Sequence, residues 1–161
     1  MKFIKLFLPM VAVALMAIGC TKEYITIEQH MDGSQIATTY CEISPIEWEP
    51  NSDSSYWYAT FECTSITKEA IDNGIILAYC IENGTDNLLP YIIPMWDNTN
   101  NVWYMENIRF DVNYDEVQKK GYITFILEDS DFGATASVQN LLNSRYTFQM
   151  KVCVITNMGR R

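Results

Sequence analysis

The sequence predicts an all-β fold, a single antiparallel β-sandwich of about seven or eight strands with one short helix. Three observations lead to this fold class. Polar and apolar residues alternate over several segments, turn residues separate the segments at intervals of roughly 8–12 residues, and only one stretch changes to a helical pattern. The 161 residues, 48% of them hydrophobic, suffice for one domain with a packed core. A small closed β-barrel with an internal pocket is the alternative.

The early strands are recognised by alternation. Residues 38–44 alternate, and one side carries Thr39, Cys41 and Ile43. Residues 55–63 alternate more regularly, and the side that we expect to face the core carries Trp57, Ala59, Phe61 and Cys63. The opposite side carries Tyr56, Tyr58, Thr60 and Glu62. Since successive side chains of a strand point in opposite directions, the two sets lie on opposite faces of a sheet.

One short helix is predicted after these strands. Thr67 can cap its first turn, and Asn73-Gly74 can end it with a residue in the left-handed conformation. Residues 75–81 then form an almost continuous apolar run, which favours a central strand.

Two prolines set the character of the next strand. Residues 88–96 are apolar but contain Pro90 and Pro94. Proline has no N–H to donate to a ladder, so we expect an edge strand or a crossing segment here. Residues 97–101 form an Asn-rich hairpin loop, and residues 102–110 follow as a strand.

The last strands are separated by polar segments. Residues 111–120 are predicted as a polar connection, and residues 134–143 are ambiguous between helix and irregular structure. Residues 121–128 alternate, with Ile123, Phe125 and Leu127 inward. The longest clean alternation covers residues 145–155, whose inward side carries Tyr146, Phe148, Met150, Val152 and Val154.

The N-terminal residues have the pattern of a targeting signal. A positively charged start precedes an apolar run over residues 6–18, which is shorter than the roughly 20 residues that span a bilayer. Ala17 and Gly19 come just before Cys20, and this resembles the lipobox of bacterial lipoproteins, in which the cysteine becomes the lipidated N-terminus. Thr21 after the cysteine implies, by analogy, sorting to the outer membrane. An ordinary secretory signal peptide is the alternative.

Four parts of the chain follow from this pattern. We expect a removed signal peptide (1–19), a lipidated cysteine and tether containing a strand at 24–28 (20–35), the β-sandwich (36–156) and a C-terminal tail (157–161). Lipidation would attach the protein to the membrane through its N-terminus.

The order of motifs in the remaining chain carries a second resemblance. The motifs are Trp48, the aromatic run Tyr56-Trp57-Tyr58, Ile66-Thr67, Asp72-Asn73-Gly74 before an apolar strand, and Leu89-Pro90. Together they resemble a group of short, uncharacterised bacterial lipoproteins with β-sandwich domains. The resemblance covers residues 36–155. It implies the fold, and it carries over no activity and no site residues.

Charge and composition exclude several function classes. The formal net charge is −9, whereas nucleic-acid binding needs a basic face. The chain contains one histidine, His30, in the predicted tether, which argues against a His-based metal site or a catalytic triad. We therefore expect no nucleic-acid partner and no cofactor.

The cysteines leave two alternatives open. Beside Cys20, the chain contains Cys41, Cys63, Cys80 and Cys153, and the cell envelope permits disulfides. Cys41 and Cys63 both fall on inward faces and are the candidate pair for a disulfide. Alternatively, all four are structural thiols that behave as small apolar residues.

Two acidic segments are candidate cation sites. Residues 111–116 begin like a calcium-binding loop, but Glu116 stands where that loop needs glycine, and Tyr122 stands where it needs glutamate. Residues 129–131 form a second oxygen-rich loop. Polar loops are ordinary in a sandwich, and we predict no metal site.

Pairs of acids could in principle serve a glycosidase. The candidate pairs are Glu47 with Glu49 and Asp115 with Glu116. With 20 acidic residues in the chain, close pairs arise by chance, and nothing marks one pair as buried or opposed. We therefore expect a protein that is not an enzyme, with a small hydrolase as a less favoured reading.

The aromatic residues suggest a ligand. Tyr56 and Tyr58 fall on the polar face of their strand, and Trp96 and Trp103 flank the hairpin loop with Asn98 and Asn100. Exposed rings stack on sugar faces and amide side chains hydrogen-bond to hydroxyls, so these residues predict glycan binding. The competing reading is that Trp48, Trp57 and Trp103 fill the core and the tyrosines cover a sheet.

The sequence thus predicts a membrane-anchored envelope lipoprotein that acts as a non-catalytic binding module for a glycan or a protein. The alternative is a structural subunit of a surface assembly that pairs through an edge strand.

Overall fold

The computed structural model describes residues 24–29, 34–52, 55–97, 101–129 and 147–157. A single 3-10 turn in these ranges spans Pro45–Glu47. The other elements are β1 (Tyr24–Gln29), β2 (Ser34–Ile43), β3 (Glu49–Pro50), β4 (Tyr56–Glu62), α1 (Lys68–Asn73), β5 (Ile75–Glu82), β6 (Thr85–Leu88), β7 (Tyr91–Asp97), β8 (Val102–Asp115), β9 (Lys120–Asp129) and β10 (Phe148–Asn157).

The strands form two antiparallel sheets. The first sheet has the order β1-β2-β10-β5-β6, and the second has the order β3-β4-β9-β8-β7. Buried residues from both sheets form a single hydrophobic cluster between them. The fold is therefore the predicted all-β sandwich, and the described strands do not form the closed barrel that was the alternative.

The core consists of the inward sides of the alternating strands. The buried set includes the predicted residues Ala59 and Cys63 of the β4 region, Ile123, Phe125 and Leu127 of β9, and Phe148, Met150, Val152 and Val154 of β10. Trp57 and Phe61 pack against this cluster while partly exposed. Full burial of each Ile, Leu, Phe, Met or Val side chain in this set contributes about 1.5–3 kcal/mol, so these strands hold the sandwich together.

Helix α1 closes one end of the sandwich, which we call the helix end. Its Lys68 Nζ lies 2.7 Å from Oε1 of Glu116, in the turn between β8 and β9. We call the opposite end the hairpin end, because there β7 leads into β8. The antiparallel registers make β1, β4, β8 and β10 run toward the helix end, and β2, β5, β7 and β9 run toward the hairpin end.

Of the two predictions for the ends of α1, the first is confirmed and the second is wrong. The hydroxyl of Thr67 accepts a hydrogen bond from the Ala70 N–H at 3.1 Å, as predicted. The predicted left-handed Gly74 is wrong, because its backbone is extended with φ −96°. Glycine is required there by close approach instead, since a Cβ would lie 2.5 Å from the Ala70 carbonyl oxygen and 2.8 Å from that of Ile155.

Strand β8 is longer than predicted. The segment expected as a polar connection continues the strand to Asp115, paired with β9 along its length. Asp111 and Asn113 are exposed, whereas Val112 packs against the core. The polar residues therefore occupy the solvent side of a strand, and the true turn covers only residues 116–119.

Two of the predicted strands lie at sheet edges. Strand β7 is an edge strand of the second sheet and contains Pro94, as expected. The strand expected within the tether is β1, which pairs with β2 at the edge of the first sheet. Part of segment 20–35 is therefore a strand of the sheet. The ambiguous segment 134–143 and the inward residue Tyr146 lie outside the described residues.

Candidate ligand-binding face

The second sheet has one face toward the core and one face toward solvent. On β8, Glu106 and Ile108 are buried, whereas Trp103 and Met105 are exposed. The same alternation exposes every second residue of β7 and partly exposes Tyr56 and Tyr58 of β4. We call this solvent side the outer face; it carries Tyr56, Tyr58, Ile92, Pro94, Trp96, Trp103, Met105, Asn107, Arg109, Asp111, Ile126 and Glu128.

The structure places the four predicted aromatic residues on this one face. Tyr56 and Tyr58 lie on β4, Trp96 lies on β7, and Trp103 lies on β8. Alternation within β4 was enough to predict the tyrosines. Local patterns did not show that the two tryptophans lie on one face. That follows from the β7–β8 register, which places Trp96 opposite Trp103.

The two tryptophans form an exposed pair. Their ring centroids lie 5.3 Å apart with an interplanar angle of 62°. Trp103 is 64% exposed and Trp96 is 42% exposed, so neither fills the core. Ile92, Pro94 and Met105 are also exposed on the same face. We call these five side chains the tryptophan patch.

The tyrosines form a second pair about two strands away. The ring centroids of Tyr56 and Tyr58 are 6.4 Å apart and tilted by 59°. The Tyr58 hydroxyl donates a hydrogen bond to Oε2 of Glu49 at 3.2 Å. This hydrogen bond and the negative charge of Glu49 raise the pKa of Tyr58. The phenol therefore stays protonated and is held in position by β3.

A polar strip separates the two aromatic pairs. Glu128 Oε1 accepts hydrogen bonds from Asn107 Nδ2 at 2.8 Å and from Arg109 Nε at 3.3 Å. The Arg109 guanidinium also contacts Asp111 at 3.3 Å. Tyr56 lies opposite Glu128, which lies opposite Asn107. The outer face thus offers stacking rings at both ends and hydrogen-bonding groups between them.

The other two tryptophans belong to the interior. Trp48 is buried and meets Phe148 edge to face, with ring centroids 5.5 Å apart. Trp57 packs against the core. The core reading was therefore right for Trp48 and Trp57 and wrong for Trp103. The predicted residues Cys20, His30, Asn98 and Asn100 lie outside the described residues.

No disulfide joins Cys41 to Cys63, and Cys80 and Cys153 form none either. Cys63 lies with its Sγ 3.2 Å from Ser65 Oγ and donates to Thr39 Oγ1 at 3.8 Å. Burial raises the pKa of Cys80 to about 11. Cys41, Cys63 and Cys80 are free thiols within the core, whereas Cys153 is a free thiol that is only half-buried.

The acidic pairs considered in the sequence have structural partners. Glu47 accepts hydrogen bonds from the backbone N–H and the hydroxyl of Ser44. Asp115 Oδ1 accepts from the N–H groups of Val117 and Gln118, which forms the turn after β8. The acid that the sequence analysis missed is Glu106, which is fully buried. Its signal was the single charge in the inward row of β8.

Within the described ranges, no group of three or more His, Cys, Asp or Glu side chains could hold a metal ion. In that same part of the chain, no helix is long and apolar enough to cross a membrane. Comparison with known proteins adds no family: no protein-family model matches the chain, and no curated protein or solved structure shows significant similarity to it.

Proposed function

We propose that the protein is a lipid-anchored envelope lipoprotein whose β-sandwich is a non-catalytic module that binds glycans through the outer face of the second sheet. The observation that carries the proposal is the placement of Tyr56, Tyr58, Trp96 and Trp103 on that one face. Aromatic rings give a large contact area at low entropic cost. Trp96 and Trp103 are the most exposed of the four aromatic side chains, at 42% and 64%.

The polar strip supports a sugar ligand. The carboxylate of Glu128, the amide of Asn107 and the guanidinium of Arg109 are already held by one another, so they would present hydrogen-bonding groups in a fixed arrangement. Fixed polar groups among aromatic side chains are what small-ligand sites use for orientation. Asn98 and Asn100 would extend this set from the hairpin loop.

A panel of soluble polysaccharides tests the proposal. The mature chain is titrated while its tryptophan fluorescence is followed, because Trp96 and Trp103 are the exposed indoles. Saturable binding that is weakened at least tenfold in the double variant Tyr56→Ala/Tyr58→Ala supports the proposal. The matched control is Tyr79→Ala on the first sheet, which should bind as the unmodified chain does. A folded protein that responds to no polysaccharide would contradict glycan binding.

A second candidate is a structural subunit, and one observation favours it. Strand β1 is a six-residue edge strand that pairs only with β2 among the described strands. Such an edge offers backbone groups to a further strand. Light scattering over a range of protein concentrations tests this. A mass that rises with concentration supports assembly, whereas a constant monomer mass favours the binding module.

A further inference from the structure

We propose that the tryptophan patch contacts the bilayer surface when the protein is held by its N-terminal lipid. This inference rests on the lipidation of Cys20 in the proposed function, and it does not depend on glycan binding.

The patch has the chemistry of a membrane-interface contact. Ile92, Pro94, Trp96, Trp103 and Met105 are all exposed, and none of them is charged. Three lie on β7 and two on β8, and the register makes them contiguous, with Pro94 opposite Met105 and Trp96 opposite Trp103. Tryptophan is enriched where a protein meets the lipid headgroups, because its ring is apolar and its N–H is polar.

The patch and the membrane anchor lie at the same end of the sandwich. Strand β1 runs toward the helix end, so the chain enters Tyr24 from the hairpin end. Strands β7 and β8 are joined at that same hairpin end. A bilayer that holds the lipid on Cys20 therefore faces the end of the sandwich that presents Trp96 and Trp103.

The tether is too short to keep the patch away from the bilayer. Cys20 precedes Tyr24 by four residues, which span at most about 14 Å. Whatever path these residues take, the acylated residue stays within that distance of the first strand.

The β7–β8 hairpin reaches further than the tether does. Tyr24 lies in the same row of the first sheet as Tyr79, and Glu82 lies three residues further toward the hairpin end. The Tyr91 hydroxyl donates to Glu82 at 2.9 Å, which places the start of β7 near that level. Trp96 lies five residues beyond Tyr91, about 17 Å further toward the hairpin end. With the strands upright on the membrane, the patch therefore meets the lipid.

Two contacts with the membrane would then fix the orientation of the domain on the bilayer. The thiol of Cys63 contacts Thr39, so β4 faces β2, and the Tyr91–Glu82 hydrogen bond brings β7 to β5. Strands β1 and β7 therefore lie on opposite sides of the sandwich. An acyl anchor below β1 and an apolar contact below β7 hold the domain at two separate points, and the strength of the second contact increases with the apolar area that it buries.

Charge does not oppose this contact in neutral lipid. The chain carries a formal charge of −9, which disfavours anionic headgroups. The tryptophan patch itself binds through apolar area. We therefore expect the contact in phosphatidylcholine vesicles and a weaker one as anionic lipid is added.

Brominated lipids test the inference, because bromine on an acyl chain quenches only those indoles that reach the lipid. The full chain is produced in a lipidating bacterium, extracted in detergent and reconstituted into phosphatidylcholine vesicles with or without brominated chains. The mass of the N-terminal peptide establishes whether Cys20 is acylated. We expect brominated lipid to lower tryptophan fluorescence by about a third or more. The variant Trp96→Phe/Trp103→Phe should lose most of this quenching, whereas Trp57→Phe, an interior control, should retain it.

The outcomes separate the inference from the proposed function. Acylated protein whose fluorescence brominated lipid leaves unchanged overturns the inference and leaves the anchor standing. If the fluorescence of this unquenched protein responds to a polysaccharide, Trp96 and Trp103 belong to the glycan surface, and the proposed function stands without the inference. Protein with unmodified Cys20 overturns the inference together with the anchor. Quenching without any glycan response supports the inference and contradicts only glycan binding.

Discussion

Trp48 and Phe148 meet edge to face, with ring centroids 5.5 Å apart, where the chain crosses from the first sheet to the second. Trp48 follows the 3-10 turn after β2, and Phe148 is the first residue of β10. Both side chains are buried. The contact therefore packs the segment between β2 and β3 against β10, the central strand of the first sheet.

Replacement of Trp48 by alanine should lower the free energy of unfolding by about 3–5 kcal/mol, because it removes a buried ring and leaves a cavity. The Trp48 Nε1 has no hydrogen-bond acceptor among the described residues, so Trp48→Phe removes less and should cost clearly less than the alanine variant. Urea unfolding followed by circular dichroism measures both. Equal losses in the two variants would contradict the role assigned to the ring.

Gly121 tolerates no side chain. A Cβ at this position would clash with the carbonyl group and the Cβ of Ile66, just before α1. We expect Gly121→Ala to destabilise by about 3 kcal/mol, at the upper end for overpacking, or to prevent folding. Gly84→Ala is the matched control, because its φ of 76° is strained for alanine but its surroundings are open. It should cost about 1–2 kcal/mol. A control as damaging as Gly121→Ala would refute the steric explanation.

The ion pair between Lys68 and Glu116 should contribute stability over a defined pH range. Its hydrogen bond lowers the pKa of Glu116 below 4.5, so the contribution is full above that value and is lost as the pH falls through the lowered pKa. The same bond raises the pKa of Lys68 above 10.5, so the contribution is lost again as the pH rises through the raised pKa. Both side chains are exposed, and salt should weaken the pair.

A double-mutant cycle with Lys68→Met and Glu116→Gln measures this interaction. The coupling should be favourable at pH 7 and absent at pH 2, and it should shrink in 1 M salt. A coupling that persists in acid would show that the two side chains interact through packing and not through charge.

The thiols should differ in reactivity. Cys41, Cys63 and Cys80 are buried, and burial raises the pKa of Cys80 to about 11, whereas Cys153 is half-buried on the outside of the first sheet. Iodoacetamide at pH 8 should therefore modify Cys153 first in the native mature chain. In denaturant without reductant, all four thiols should react. Peptide mass spectrometry measures the pattern, and two unreactive cysteines in denaturant would reveal a disulfide.

The polar strip should matter for binding more than for folding. Arg109→Ala removes a half-exposed ion pair with Glu128 and should change stability by less than about 1 kcal/mol. It also removes one of the two groups that hold Glu128 opposite Tyr56, together with a cationic hydrogen-bond donor of the strip, so we expect at least a fivefold loss of glycan affinity. Lys120→Ala, which removes the exposed pair with Glu62, is the matched control and should leave affinity unchanged. An unchanged affinity in Arg109→Ala would exclude the strip from the binding surface.

Much of the fold was readable from local patterns. Alternation assigned the inward residues of β4, β9 and β10, because a period of two leaves only two faces and the apolar one is buried. Pro94 marked the edge strand because a missing N–H cannot be tolerated inside a ladder. Thr67 marked the start of α1 because its hydroxyl caps the first turn. Each of these signals lies within a few neighbouring residues.

Other features depended on residues far apart in the chain. The prediction for Gly74 was wrong because glycine is required there by the close carbonyl oxygens of Ala70 and of the distant Ile155, and not by its own backbone angles. Polar residues at 111–115 suggested a loop, yet pairing with β9 keeps them in a strand. Glu106 is buried because the register places it on the inward side of β8, opposite Ile93 of β7 and Asp129 of β9.

The sequence by itself determined the all-β class, the alternating core and the polar-face position of Tyr56 and Tyr58, because these depend on side-chain periodicity along single strands. Only the tertiary structure decided that Trp96 and Trp103 share the face of Tyr56 and Tyr58, and that the hairpin carrying them lies at the end where the chain enters β1. Those relationships are set by strand order and register. Strand order and register depend on pairing between segments that are distant in the chain, and a local sequence pattern does not contain that information.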